Sequence, residues 1–105
     1  MTYRLLQWNC RGVRSKKDEI LEMIKNKSLD VIALQETKLW RDCNFNLSNY
    51  NSERVDGHVK FTSHGGVAFF IHSSIPYTRL ELNTSIQAVA IKANIGNLVT
   101  ICNIY

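Results

Sequence analysis

Residues 4–36, RLLQWNCRGVRSKKDEILEMIKNKSLDVIALQE, decide the fold of this 105-residue chain. The mostly apolar residues 4–9 predict a strand, which Arg11-Gly12 ends. The continuous apolar run at residues 31–34 is typical of a strand buried on both faces. The segment between them, about residues 16–26, has the spacing of an amphipathic helix, with Ile20, Leu21, Met23 and Ile24 on its apolar face.

The order strand, helix, strand predicts a βαβ unit with two parallel strands and a right-handed crossover. Ser15 is the expected N-cap of the helix, because Asp18 follows three residues later. Acidic residues early in the helix and lysines late in it suit the helix dipole.

The rest of the chain favours antiparallel strands. Residues 50–55 and 66–73 have strand patterns, and residues 87–93 alternate between apolar and polar side chains. A tight turn at residues 94–97 then leads into the apolar residues 98–105, which predicts a hairpin. The fold class is therefore α/β (α+β), a mixed sheet with few helices in one domain, and residues 37–49 form a polar loop anchored by Trp40, Phe45 and Leu47.

Composition narrows the class of protein. The formal net charge is +4 and the isoelectric point is about 9.1, which favours a polyanionic partner such as nucleic acid. Three cysteines, Cys10, Cys43 and Cys102, form no metal-binding or disulfide pattern, so we expect buried or half-buried free thiols. No apolar run reaches the roughly 20 residues of a membrane helix. We expect an intracellular protein, and the family resemblance described below implies a nuclear one.

Polar residues follow the two predicted parallel strands. Asn9 ends the first strand, and Gln35 and Glu36 end the second. Ligand sites in open α/β sheets gather at this edge. A partly buried carboxylate such as Glu36 needs a partner, which a metal ion supplies, although the strand pattern alone favours a glutamate that caps the sheet in solvent.

Four sequence motifs, taken together and in order, resemble a known family. They are LQWNCRG at residues 6–12, DVIALQETK at 30–38, GGVAFFI at 65–71 and CNIY at 102–105. The series resembles the endonuclease/exonuclease/phosphatase (DNase I-like) superfamily. It is most similar to the apurinic-type endonuclease domain of non-LTR (LINE-type) retrotransposons, and the resemblance covers essentially the whole chain.

The resemblance implies a role for five residues. Asn9, Glu36 and Tyr105 correspond to catalytic residues, with Glu36 and Asn9 at a site for Mg²⁺ or Mn²⁺ and Tyr105 near the scissile phosphate. Lys38 and Arg11 correspond to positions that contact nucleic acid, although a solvated lysine and a polar turn explain them as well. The implied partner is DNA, and no membrane is involved.

The resemblance also implies that the chain is incomplete. The family's Asp-x-Asn segment and distal Asp-His pair lie in a second half, and His58, His64 and His72 do not match that histidine. We therefore expect residues 1–105 to be a single partial domain, truncated on its C-terminal side, with strand residue Tyr105 as its last residue.

The partial domain should supply one sheet of a two-sheet sandwich. We expect the apolar face of that sheet to be uncovered, so that the missing C-terminal half or another partner must cover it. The residues of this face are Phe69, Ile71, Val89, Ile91 and Val99.

Three functions remain open on the sequence. The first is a Mg²⁺-dependent DNA endonuclease that nicks its target and is catalytically incomplete as this fragment. The second is a phosphoesterase of the same superfamily that acts on a small phosphoester. The third is a non-catalytic remnant that binds nucleic acid or a protein partner.

Overall fold

The computed structural model describes residues 2–57 and 65–105, and its strands form two sheets packed face to face. A short 3-10 helix at Arg14–Lys16 leads directly into helix α1 at Lys17–Lys27. The strands are β1 Leu5–Asn9, β2 Val31–Gln35, β3 Tyr50–Val55, β4 Val67–His72, β5 Tyr77–Leu80, β6 Ala88–Asn94 and β7 Leu98–Ile104.

The first sheet has the order β1-β2-β4-β3 and contains the predicted βαβ unit. Strands β1 and β2 are parallel, with Leu5 opposite Val31 and Asn9 opposite Gln35. Strand β4 pairs antiparallel with both β2 and β3. The α/β fold class with a mixed sheet is confirmed.

Helix α1 begins and ends within one residue of its prediction, but the predicted cap is wrong. Ser15 lies inside the 3-10 helix, where its hydroxyl donates to the Gly12 carbonyl at 3.2 Å. Lys16 precedes α1 and makes no side-chain capping bond. The turn begins earlier than the capping pattern indicates because Val13, which is fully buried, draws the chain into the core, and its carbonyl accepts from the Lys16 N–H at 3.0 Å.

The second sheet has the order β5-β6-β7 and is antiparallel throughout. The predicted hairpin of β6 and β7 is confirmed. Strand β5 was not predicted, because its sequence YTRL at Tyr77–Leu80 has no apolar alternation and follows Pro76. The structure shows that this strand starts the second layer.

The expectation of one sheet with an uncovered apolar face is wrong. Phe69, Ile71, Val89 and Ile91 are all buried and lie in one cluster between the two sheets, whereas Val99 stays 37% exposed. The reason lies in β4, whose first five residues are buried on both faces. Such a strand needs cover on each side, which α1 and the 37–49 loop provide on one face and β6 on the other.

The core on the helix side confirms the predicted anchors of the 37–49 loop. Phe45 and Leu47 are buried there, and Trp40 is partly buried against them. Phe45 meets Phe70 of β4 edge to face, with ring centroids 5.8 Å apart. The loop therefore covers the end of the first sheet that α1 does not reach.

The two long sides of the sandwich differ. On one side, Glu53 of β3 joins the sheets, because its carboxylate accepts from the Tyr77 hydroxyl at 2.7 Å and lies 3.3 Å from Arg79. On the other side, β1 and β7 are the outermost strands of their sheets. Leu5 of β1 is 49% exposed and Leu98 of β7 is 71% exposed. The sandwich is closed at β3 and β5 and open at β1 and β7.

Gly66 lies where three chain segments meet at the start of β4. Its φ is +92°, a conformation that side chains with a Cβ rarely adopt. A Cβ at this position would overlap the Thr37 hydroxyl and would approach the Val55 carbonyl to 3.6 Å. By contrast, Gly96 has a similar φ of +94°, but a Cβ there would meet only Tyr3, at 3.8 Å.

We predict that Gly66→Ala costs more stability than Gly96→Ala. Both substitutions strain the backbone by about 1–2 kcal/mol. Gly66→Ala also displaces Thr37, which adds about 1–3 kcal/mol of overpacking. Urea unfolding of the two variants measures the difference, and equal losses of unfolding free energy would contradict the close packing at Gly66.

The Tyr77–Glu53 contact predicts a loss of stability at alkaline pH. Burial, followed by the hydrogen bond and the charge of Glu53, raises the pKa of Tyr77 to about 12. Because the ordinary tyrosine pKa is about 10, this contribution is fully present below pH 10 and is lost as the pH rises toward 12. Unfolding free energies at pH 8–11 should fall more steeply for the wild type than for Tyr77→Phe. Parallel curves would mean that the contact is absent in solution.

Candidate functional site

The polar residues predicted at the strand ends do meet at one edge of the sandwich. Asn9 at the end of β1 lies opposite Gln35 at the end of β2, and Glu36 follows immediately. Strand β7 ends at the same edge, since Asn103 contacts the Leu34 carbonyl of β2. Tyr105 follows β7 and donates its N–H to the Gln87 carbonyl at 3.0 Å.

Backbone hydrogen bonds tie the loops of this edge to one another. The Gly12 N–H donates to the Glu36 carbonyl at 2.7 Å, which joins the loops after β1 and β2. The Lys38 N–H donates to the Gly65 carbonyl at 2.9 Å, which joins the second loop to the start of β4. A Cβ added to Gly65 would lie 3.1 Å from the Tyr105 ring. Lys38 and Tyr105 therefore flank the same glycine.

Strained backbone concentrates at this edge. Three of the five non-glycine residues with positive φ among residues 2–57 and 65–105 lie here: Arg11 at +50°, Glu36 at +55° and Lys38 at +56°. Such residues are uncommon, and they cluster at active sites, where the surrounding structure holds them in place. Glu36 owes its position to this backbone, because the left-handed turn directly after β2 changes the direction of its side chain relative to the strand pattern.

Positive side chains surround the edge. Lys16 donates to the Cys10 carbonyl at 2.8 Å, and Arg11 and Lys38 are exposed on the two loops. Arg14 lies 5.0 Å from the centre of the Trp40 ring. Glu36, which is half-buried as expected, lies in the loop after β2, two residues before Lys38. The basic side chains favour an anion at this edge.

Two of the three free thiols are buried, and one is not. Cys10 and Cys43 are buried as expected, whereas Cys102 is exposed because it is on the outer face of β7. Burial raises the pKa of the Cys10 thiol, and Glu36 raises it further. The raised pKa favours the protonated thiol at neutral pH.

A series of three amides, not predicted from the sequence, lies beneath the strand ends. Asn103 is 2% exposed and donates to the Leu34 and Ala68 carbonyls at 3.1 and 2.9 Å. The Gln35 amide donates to Asn103 Oδ1 at 2.6 Å, and the Gln7 amide donates to Gln35 Oε1. The signal in the sequence was a polar residue inside an apolar strand, as in LLQWN and ICNIY.

A groove of about 620 Å³ lies between β1 and β7 on the open side of the sandwich. Its floor is mainly apolar, and Asn9 and Tyr105 line the end nearest the site. The other lining residues are Leu5, Leu6, Gln7, Val31, Ala33, Gln35, Phe69, Ile101, Cys102, Asn103 and Ile104.

Glu36 and Asn9 bring one carboxylate and one amide to this edge, and both offer the oxygen atoms that hard cations prefer. Residues 2–57 and 65–105 contain no cluster of three or more His, Cys, Asp or Glu that could hold a metal by itself. Mg²⁺ needs few protein ligands and prefers carboxylate and amide oxygens, which these two residues offer. His72 lies at the far end of β4, where it is hydrogen-bonded to Ser74, and His58 and His64 fall outside the described residues.

Comparisons with known proteins agree with this architecture. Residues 6–103 match the sequence profile of the Endonuclease/Exonuclease/phosphatase family. Among solved structures, the chain is similar to a variant of the 3′ phosphatase NExo from Neisseria bound to product DNA hairpin. The TM-score is 0.68 at 18% identity, over 99% of this chain and 41% of that one. No curated protein matches the chain.

The chain therefore spans less than half the length of this solved structure, and the similarity concerns the fold. In the part of the chain that the structure describes, no helix is long and apolar enough to cross a membrane.

Proposed function

Because the chain belongs to the Endonuclease/Exonuclease/phosphatase family, we propose that it forms part of a phosphoesterase that cleaves nucleic acid. The observation that carries this proposal is the placement of Asn9, opposite Gln35, beside Glu36 at one edge. The finer proposal is a Mg²⁺-dependent DNA endonuclease of the non-LTR retrotransposon type, with a nuclear location.

Glu36 and Asn9 would hold Mg²⁺ or Mn²⁺ in this proposal. When bound, the ion would polarise a phosphoryl oxygen and stabilise the leaving oxygen. The left-handed backbone at Glu36 sets the direction in which its side chain leaves the edge.

Tyr105, Lys38 and Arg11 would contact the nucleic acid. Tyr105 is 52% exposed and lies against Gly65, next to the loop that carries Lys38. Lys38 and Arg11 are exposed and basic, so they suit contacts with phosphate groups. The tyrosine hydroxyl would donate to a phosphate oxygen, and the two cations would hold the backbone on either side of it.

The charge of the chain favours a polyanionic ligand, and the resemblance at residues 8–12 favours DNA over a small phosphoester. The net charge of +4 favours a polyanion, whose many phosphates release counterions on binding. The Neisseria 3′ phosphatase was solved with a DNA hairpin, which is a statement about that protein and is consistent with the proposal here. A small phosphoester would gain little from cations spread over several loops.

The open side of the sandwich is where we place the remainder of the domain. Residues 1–105 would then be one part of a single domain, and further polypeptide would cover the groove between β1 and β7. Exposed apolar side chains on the inner faces of these two strands support this placement, because Leu5 of β1 is 49% exposed and Val99 of β7 is 37% exposed. Residues that aim a water molecule at the phosphate would belong to that polypeptide.

We predict that Mn²⁺, used as a probe for Mg²⁺, binds the wild-type chain at Glu36. Glu36→Gln removes the charged ligand. It should weaken Mn²⁺ binding by more than about tenfold, which is the loss expected when only a supporting contact is removed. Isothermal titration calorimetry measures the dissociation constants. Glu19→Gln, an exposed glutamate in the first turn of α1, is the matched control and should bind as the wild type does. Equal affinities for the two variants would contradict a metal site at Glu36.

We predict that Lys38 and Arg11 contact DNA phosphates. Replacing either one by glutamine should weaken binding of a short duplex and lower the slope of log K against log salt by about 1. Lys25→Gln, in the last turn of α1, is the control and should leave the slope unchanged. Competition by inositol hexakisphosphate as strong as that by DNA would instead favour the small-phosphoester function.

A further inference from the structure

The orientation of the three amides beneath the site follows from the two carbonyls at their inner end. A carbonyl oxygen only accepts hydrogen bonds, so the NH₂ group of Asn103 must face the Leu34 and Ala68 oxygens. Asn103 Oδ1 then faces Gln35 and can only accept. The Gln35 amide is fixed in turn, and its Oε1 accepts from Gln7.

The series is therefore ordered from the core outward. Each amide donates inward and accepts from the next, so Gln7 Oε1 is its outer end. Asn103 and Gln35 are nearly fully buried, at 2% and 8% exposure, so breaking one link leaves a buried donor or acceptor unpaired. A buried network of this kind holds one arrangement when all its members are satisfied.

The three amides also join the elements that carry the site. Asn103 is two residues before Tyr105 and connects β7 of the second sheet to β2 and β4 of the first. Gln35 immediately precedes Glu36, and Gln7 is two residues before Asn9 on β1. Gln7 and Asn9, which are two residues apart within β1, are on one side of that strand.

We propose that Asn103 is a positioning residue: through Gln35 and Gln7 it fixes the strand ends that present Glu36 and Asn9. This inference rests on the proposed function for the role of those two residues as metal ligands. Asn103 itself contacts neither metal nor substrate. Its effect passes through Gln35, whose backbone leads directly into the strained Glu36 turn.

The test uses three variants of the full chain. Asn103→Leu removes the bonds to the two carbonyls and the link to Gln35 while nearly keeping the shape of the side chain. Gln35→Met keeps the bonds from Asn103 to the two carbonyls, and so keeps the sheets joined, but it cuts the link to Gln7. Cys102→Ser changes the neighbouring, outward-facing and exposed residue of β7 and is the control.

The first measurement is made without metal, by ¹H–¹⁵N nuclear magnetic resonance. In the wild type, the side-chain NH₂ signals of Asn103 and Gln35 should exchange with solvent at least about tenfold more slowly than those of exposed amides. Gln35→Met should shift the Gln7 NH₂ signals and the Glu36 and Asn9 backbone signals, whereas Cys102→Ser should not. Unshifted Gln7, Glu36 and Asn9 signals in folded Gln35→Met would overturn the proposal, even if Asn103→Leu fails to fold.

The second measurement is the affinity for Mn²⁺ alone. Gln35→Met, and Asn103→Leu if it folds, should weaken Mn²⁺ binding by about 10–100-fold, as loss of a supporting contact does, and Cys102→Ser should change it less than twofold. Wild-type affinity in folded Gln35→Met would overturn the positioning role. A wrong proposed function gives a different result, because the wild type would then bind Mn²⁺ no more tightly than Glu36→Gln does. In that case the metal-free spectra decide the role of Asn103.

Discussion

The architecture of the site depends on two hydrogen bonds, which the Asn103 amide donates to the Leu34 and Ala68 carbonyls. The hydrophobic effect that holds the two sheets together is non-directional. A buried amide is different, because its donors lose about 1–3 kcal/mol if their acceptors move away. Asn103 therefore sets the end of β7 against the ends of β2 and β4, and the candidate site lies directly above this contact.

The sandwich around this contact is asymmetric. Glu53, Tyr77 and Arg79 join the sheets on the side of β3 and β5, so the two layers cannot open there without breaking polar contacts. On the side of β1 and β7 the layers end in a mainly apolar groove beside the site. Any polypeptide that covered the groove would also border Asn9 and Tyr105, because both residues line it.

The sequence predicted the elements whose signal is local. The apolar run VIAL, the helical spacing around Ile20 and the hairpin of residues 87–105 each predict their structure without reference to the rest of the chain. The strand ends followed from these elements, since parallel strands in a βαβ unit end at the same edge. Asn9, Gln35 and Glu36 were therefore brought together by topology, although the roles of Asn9 and Glu36 remain proposals.

The features that the sequence did not predict depend on distant contacts. Strand β5 has no apolar alternation. Its pairing with β6, rather than its own sequence pattern, keeps it extended. Ser15 has the pattern of an N-cap, but burial of Val13 started the turn earlier. Asn103 and Gln35 are 68 residues apart, and no local pattern indicates that they pair. The second layer also depends on distant contacts, because strand β6 covers one of the two buried faces of β4.

The most direct test of a cation site at the strand ends is anomalous diffraction from crystals of the chain soaked in Mn²⁺. The proposal predicts a peak about 2.1 Å from a carboxylate oxygen of Glu36, with the Asn9 side chain in the same coordination sphere and water at the other positions. Mn²⁺ peaks elsewhere on the chain, with none at Glu36, would contradict it.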